Sequence, residues 1–125
     1  MIQIDIQRFW SAVLKQDRDA LAAFFHEDAW VNWHNTNEHF TVPEFIRANC
    51  DYPGAWDGEV ERIMEQVDQI ITVTHVYDRE KTVSLHAVSF FRIRQDKIQS
   101  IDEYWGDDGR PPQWRENMHI GRSIK

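Results

Sequence analysis

The chain has 125 residues, with 14 Lys plus Arg against 21 Asp plus Glu and a formal net charge of -7. That length supports one domain with a real core rather than two, the 42% hydrophobic content with 13% aromatics is globular, and the acidic balance argues against nucleic acid, whose phosphates need a basic face. No apolar run approaches the ~18 residues of a membrane span, and Met1-Ile2-Gln3-Ile4-Asp5 has neither a basic region nor an apolar signal core, so a single cytoplasmic domain over 1–125 is the expectation.

From Ile2 to Leu14, Ile6, Phe9, Trp10, Val13 and Leu14 recur at helical spacing and predict a first helix with one wide apolar stripe. Asp17 has the chemistry of an N-cap for a second helix, whose buried side is Ala20, Leu21, Phe24 and Phe25 and which His26-Glu27-Asp28 ends. Ala29 to His34 alternates and is rich in large and β-branched residues, a strand that Asn35-Thr36-Asn37 breaks. Thr41-Val42-Pro43-Glu44 opens a third helix, with Thr41 as cap and Pro43 in the first turn, and Tyr52-Pro53-Gly54 closes it. The period then changes to strands at Glu59–Val67, Gln69–Tyr77, Thr82–Arg94 and Lys97–Trp105, joined by the short connections 78–81 and 95–97. Helices followed by a run of antiparallel strands give an α+β fold.

Between Thr82 and Ile93 both alternating sets are largely apolar: Val83, Leu85, Ala87, Ser89 and Phe91 on one side, His86, Val88 and Phe90 on the other. A strand of that kind is covered on both faces. The helices cover only one, so a homodimer paired through the other face of the sheet is expected. Cys50 is the only cysteine and excludes an intrachain disulfide and a multi-cysteine zinc site; a small, partly buried apolar side chain is its expected role. The six histidines show no His-x-x-x-His on a helix face. His75 and His86 lie on adjacent strands, but a set such as His34, His75 and Glu103 has no motif behind it, so no metal and no cofactor is expected.

Taken together, Ile6-Gln7-Arg8-Phe9, the Asp17 helix start, the Asp28-Ala29 turn, the Pro43-Glu44-Phe45-Ile46 helix start and the last strand Lys97–Trp105 resemble the nuclear transport factor 2 superfamily. Within it the likeness is to the branch of SnoaL-like polyketide cyclases and ketosteroid isomerases. It spans nearly the whole chain up to Asp108. The resemblance implies three N-terminal helices across a curved, mainly antiparallel sheet, a cone-shaped pocket between them, and pairing of two chains through the outer sheet face.

Ketosteroid isomerases move a carbon-bound proton with a carboxylate base while a tyrosine and a protonated aspartic acid stabilise the enolate. Placed on this chain, those positions fall at Trp33, Phe9 and Ser89, allowing one deletion at Gln95-Asp96. A phenyl and an indole ring cannot do that work, so the isomerase mechanism is not expected. The same placement turns Phe9, Val13, Val31, Trp33, Ala87, Ser89, Phe91, Ile101 and Trp105 into the pocket, which suits a small hydrophobic or aromatic ligand unless the rings fill the cone.

Glu103 shares a strand face with Ile101 and Trp105, where apolar surroundings raise a carboxyl pKa and fit a general acid or base; the alternative is a structural acceptor for an indole. His75, if it faces the pocket with Ile71 and Val73, is its natural partner. Trp56, Trp114 and Arg115 lie in turn-rich segments near the rim and either close over a ligand or pack on the body. Three readings follow: a dimer catalysing cyclisation, isomerisation or dehydration by proton transfer, a binding module without chemistry, and an interaction protein with a filled cone.

Overall fold

The computed structural model describes residues 3–125. Helix α1 (Ile6–Lys15) begins where Asp5 accepts a hydrogen bond from the Arg8 amide and ends at Gln16, whose φ of 55° turns the chain left-handed. The expected start at Ile2 lies outside the described residues. Helix α2 (Arg18–Ala23) is capped by Asp17 through the Ala20 amide, as expected. Thr41 and Glu44 close a reciprocal capping box on α3 (Val42–Cys50), with proline in its first turn.

The strands are β1 (Phe25–Trp33), β2 (Glu38–Thr41), β3 (Trp56–Glu65), β4 (Gln69–Asp78), β5 (Ser84–Arg94) and β6 (Lys97–Asp107), and a short α4 (Gln113–Glu116) follows. One six-stranded sheet holds them in the order β2-β1-β6-β5-β4-β3. Every pairing is antiparallel except β1 with β6. Register shifts in the β1–β6, β3–β4 and β5–β6 ladders mark bulges, which bend and twist a sheet into a curve.

The α+β class and the order of elements follow the sequence reading, with three differences. His26-Glu27-Asp28 belongs to β1 rather than to the end of a helix, because Phe25 is already paired with Ile98 and buried. Strand β2 has no counterpart in the expected elements, and the tail carries a fourth helix beyond the three expected. Both are four residues long, too short for a periodic signal.

The inner face of the sheet is built in transverse rows. Ile70, Phe91, Ile101, Val31 and Phe40 stand side by side across five strands. Phe9 of α1 closes this end with edge-to-face contacts to Phe91 at 5.3 Å, Phe24 at 5.5 Å and Phe25 at 5.9 Å. The next row is Thr72, Ser89, Glu103 and Trp33, followed by Thr74, Ala87 and Trp105, and then by Val76, Leu85 and Asp107. The rows run from dense packing at the Phe9 end to an open mouth at the Val76 end.

Candidate functional site

The open end holds a cavity of about 640 Å³, within the range of small-molecule sites. Val13 and Leu14 of α1, Trp33, Trp56 and Trp105 of the sheet and Tyr52 beyond α3 supply much of its apolar wall. Tyr52 meets Trp56 edge to face at 5.5 Å, and the Trp56 indole donates to the Pro53 carbonyl at 3.1 Å, which fixes the rim.

Most polar groups of the wall already have internal partners. The Gln16 amide donates to the Asn49 and Tyr52 carbonyls at 3.0 and 2.7 Å, and Asn49 donates to the Val13 carbonyl at 3.1 Å, tying α1 to α3. Asn35 accepts from the Trp105 amide at 2.6 Å and donates to its carbonyl at 2.5 Å. Thr36 donates to Glu38 at 2.6 Å. Glu38 and Asp107 are the carboxylates of the wall, and among the described residues no Lys, Arg or His lines it.

Beneath this wall lies Glu103, 3% exposed. Its Oε1 accepts from the Trp33 indole at 3.0 Å and its Oε2 from the Ser89 hydroxyl at 2.6 Å. Burial pushes the carboxyl above its usual range, against the opposing pull of hydrogen bonds from Ser89, Trp33 and Trp105. Trp10 extends the polar row by donating to Thr72 at 3.1 Å, and its ring meets Trp105 at 6.5 Å. The carboxyl therefore holds the rings that face the cavity without lining the cavity itself. To touch a bound molecule it needs one indole to turn aside.

Of the residues expected in the pocket, Val13, Trp33, Trp56 and Trp105 line the cavity. Phe9, Val31, Ala87, Phe91 and Ile101 are buried core residues, exposed by 1% or less, because the narrow end of the cone is filled by the Phe9 cluster. Ser89 is equally buried and spends its hydroxyl on Glu103. Arg115 and Trp114 sit in the exposed tail, where the guanidinium stacks over its neighbour's ring at 5.5 Å, and neither reaches the cavity.

His75 does share a face with Ile71 and Val73, but it is the outer one. Its register partner His86 faces it there, and the inner residues of β4 are Ile70, Thr72, Thr74 and Val76. His75 is thus separated from Glu103 by the sheet, as is His34, which stacks on Tyr104 at 4.3 Å and pairs with Asp102 at 2.7 Å. The considered set His34, His75 and Glu103 does not assemble. Leu14, Val76, Leu85 and Glu38 were missed, whereas Tyr52 and Asp107 belong to the turn-rich segments 52–58 and 106–115 expected near the rim. For Val76 and Leu85 the usable signal was register, since placing Thr72 opposite Ser89 also places Val76 opposite Leu85 on the inner face.

A curved sheet, helices across its concave side and an aromatic cavity at the open end define a cone-shaped α+β scaffold. Residues 6–101 match the family model of the SnoaL-like domain, and the chain belongs to that family. Among curated proteins nothing matches it. A candidate ketosteroid isomerase from Kribbella flavida DSM 17836 superposes over 96% of this chain and 87% of that one, with a TM-score of 0.79 and 20% identity. An NTF-2 like protein of unknown function from Burkholderia xenovorans LB400 does so over 96% and 92%, with 0.78 and 21%. A protein with a ketosteroid isomerase-like fold from Catenulispora acidiphila DSM 44928, in complex with trimethylamine, covers 79% and 82%, with 0.66 and 13%. Such identities show a shared fold. Among the described residues no helix is long and apolar enough to cross a membrane.

Proposed function

We propose that the protein binds a small, flat, hydrophobic molecule, neutral or positively charged, in the cavity at the open end of the cone. The observation that carries this reading is the wall itself: indole and phenol rings for a planar apolar body, two carboxylates at its edge, and no cationic side chain among the described residues. Aromatic faces attract cations as well as apolar rings, and carboxylates in a partly desolvated site repel an anion. The Catenulispora protein of the same fold was solved in complex with trimethylamine, a small amine that is cationic at neutral pH. A methyl, aminomethyl and carboxylate series on naphthalene, titrated against tryptophan fluorescence, tests the proposal. Saturable quenching by the first two, with the carboxylate at least about tenfold weaker, is the expected result; preference for the carboxylate overturns it.

A second reading, proton transfer by Glu103, is supported by a carboxyl that burial pushes above its ordinary range, directly behind two wall residues. Its signature is exchange of the α-carbon protons of 2-tetralone for deuterium, measured by NMR. Exchange lost in Glu103→Gln supports the role, and equal exchange in both proteins assigns Glu103 to positioning alone.

The outer sheet face carries the partly covered Val73, Val88 and Phe90 together with Tyr104, 46% exposed, and Met64, 55% exposed. We propose that a second copy of the chain covers this face, as an unpartnered apolar surface requires. Sedimentation equilibrium is expected to give twice the chain mass, and Phe90→Glu to give a monomer. A monomeric wild-type chain at micromolar concentration contradicts it.

A further inference from the structure

On the outer face, where β3, β4 and β5 run side by side, the imidazoles of His75 and His86 stack with centroids 4.8 Å apart and planes 10° from parallel. One assignment of protons satisfies their hydrogen bonds to Ser84 and Asp108. Asp108 Oδ1 lies 2.5 Å from His86 Nδ1, and Asp108 Oδ2 accepts from the Ser84 hydroxyl at 2.6 Å. With its own proton committed to Asp108, the Ser84 oxygen accepts from His75 Nε2 at 2.8 Å. Both rings then hold their protons toward Asp108 and Ser84 and present the lone pairs of His75 Nδ1 and His86 Nε2 to the opposite side.

That side is acidic. Glu61 Oε1 lies 3.2 Å from His86 Nε2, and Glu59 Oε1 lies 3.3 Å from His75 Nδ1. A lone pair facing a carboxylate at such distances is repulsive unless a positive centre stands between them. Protonating both rings would set two imidazolium ions face to face, whereas one divalent ion can take both lone pairs together with Glu61.

We infer that His75, His86 and Glu61 form a binding site for one divalent transition-metal ion of the zinc class. One donor atom from each residue lies within 4.8 Å of the others. The 3.2 Å between Glu61 and His86 is close to the ~3.3 Å edge of a tetrahedron with bonds of about 2.0–2.1 Å. Asp108 and Ser84 act from behind, orienting each ring through the nitrogen that does not ligate. Glu61 is delivered by a bulge: the β3–β4 register shifts between Val60 and Arg62, and Glu61 is the extra residue. Gly58 allows β3 to press this closely on β4, since a Cβ there would lie 2.3 Å from the His75 carbonyl oxygen. In the single chain the side chains of His75, His86 and Glu61 keep 22%, 35% and 26% exposure, which leaves room for water as a fourth ligand. Lys125 holds the other Glu61 oxygen at 3.1 Å and leaves Oε1 free for the ion.

Calorimetric titration of the full chain with zinc chloride is expected to show one ion per chain. His75→Ala and His86→Ala each weaken binding at least about tenfold, Asp108→Asn weakens it ~10–100-fold by releasing the His86 ring, and His39→Ala leaves it unchanged. No binding up to millimolar zinc, or binding that survives the His75→Ala/His86→Ala double variant, overturns the site. The wild-type chain gives a readout independent of any variant: in NMR, zinc shifts or broadens the Hε1 signals of His75 and His86 and spares those of His34 and His39. The reverse pattern overturns it equally.

Discussion

Replacing Glu103 by Ala is expected to destabilise the fold by about 3–5 kcal/mol, measured by urea unfolding. The change leaves the partly buried Trp33 indole without its acceptor, frees Ser89 and opens a void, and each lost partner or cavity costs about 1–3 kcal/mol. Glu103→Gln retains the shape and one carbonyl oxygen as acceptor, so a smaller loss of about 1 kcal/mol is expected. The pH dependence separates these cases. A carboxyl whose folded pKa is raised above its ordinary range by burial contributes stability that is fully present below the unfolded pKa and is lost as pH rises through the folded one. The wild-type advantage over Glu103→Gln is therefore largest at low pH and shrinks upward. The lowered carboxylates Asp102 and Asp108 act in the opposite direction, and because both proteins carry them, they cancel in the difference. A difference that grows with pH contradicts this assignment.

Phe9→Ala is the second large effect, about 3–5 kcal/mol from the lost ring and the void it leaves. Phe9 is 1% exposed and meets Phe24, Phe25 and Phe91, and also Trp10 at 6.1 Å, all edge to face. Its removal takes out the plug that closes the narrow end of the cone. Ligand affinity at the open end should change far less than stability, because Phe9 is outside the cavity wall. Equal losses of stability and affinity would place the ligand deeper than proposed.

The same residues explain how much was legible in the sequence. Helix starts announced themselves through Asp17 and the Thr41 and Glu44 pair, since capping is local chemistry. The long strands β3 to β6 had alternation and turn residues on their side. What alternation could not give was the parity of β4: Ile70 and Ile71, or Val73 and Val76, are apolar on both faces, so His75 could be assigned inward with Ile71 and Val73 only by choice. Register with β5 decides it, and register is a long-range property. Glu103 was found because the alternation of β6 is unambiguous around it. Its distance from the cavity was not, because whether Trp33 and Trp105 cover a carboxyl or expose it depends on side-chain packing across strands rather than on spacing along one.

The most direct measurement is a crystal structure of the protein with the methylnaphthalene or aminomethylnaphthalene probe. The account predicts ring density among Trp33, Trp56 and Trp105 at the open end, above an undisturbed bond from Trp33 to Glu103. Density on the outer sheet face or in the Phe9 end of the cone, with the indole wall empty, would contradict it.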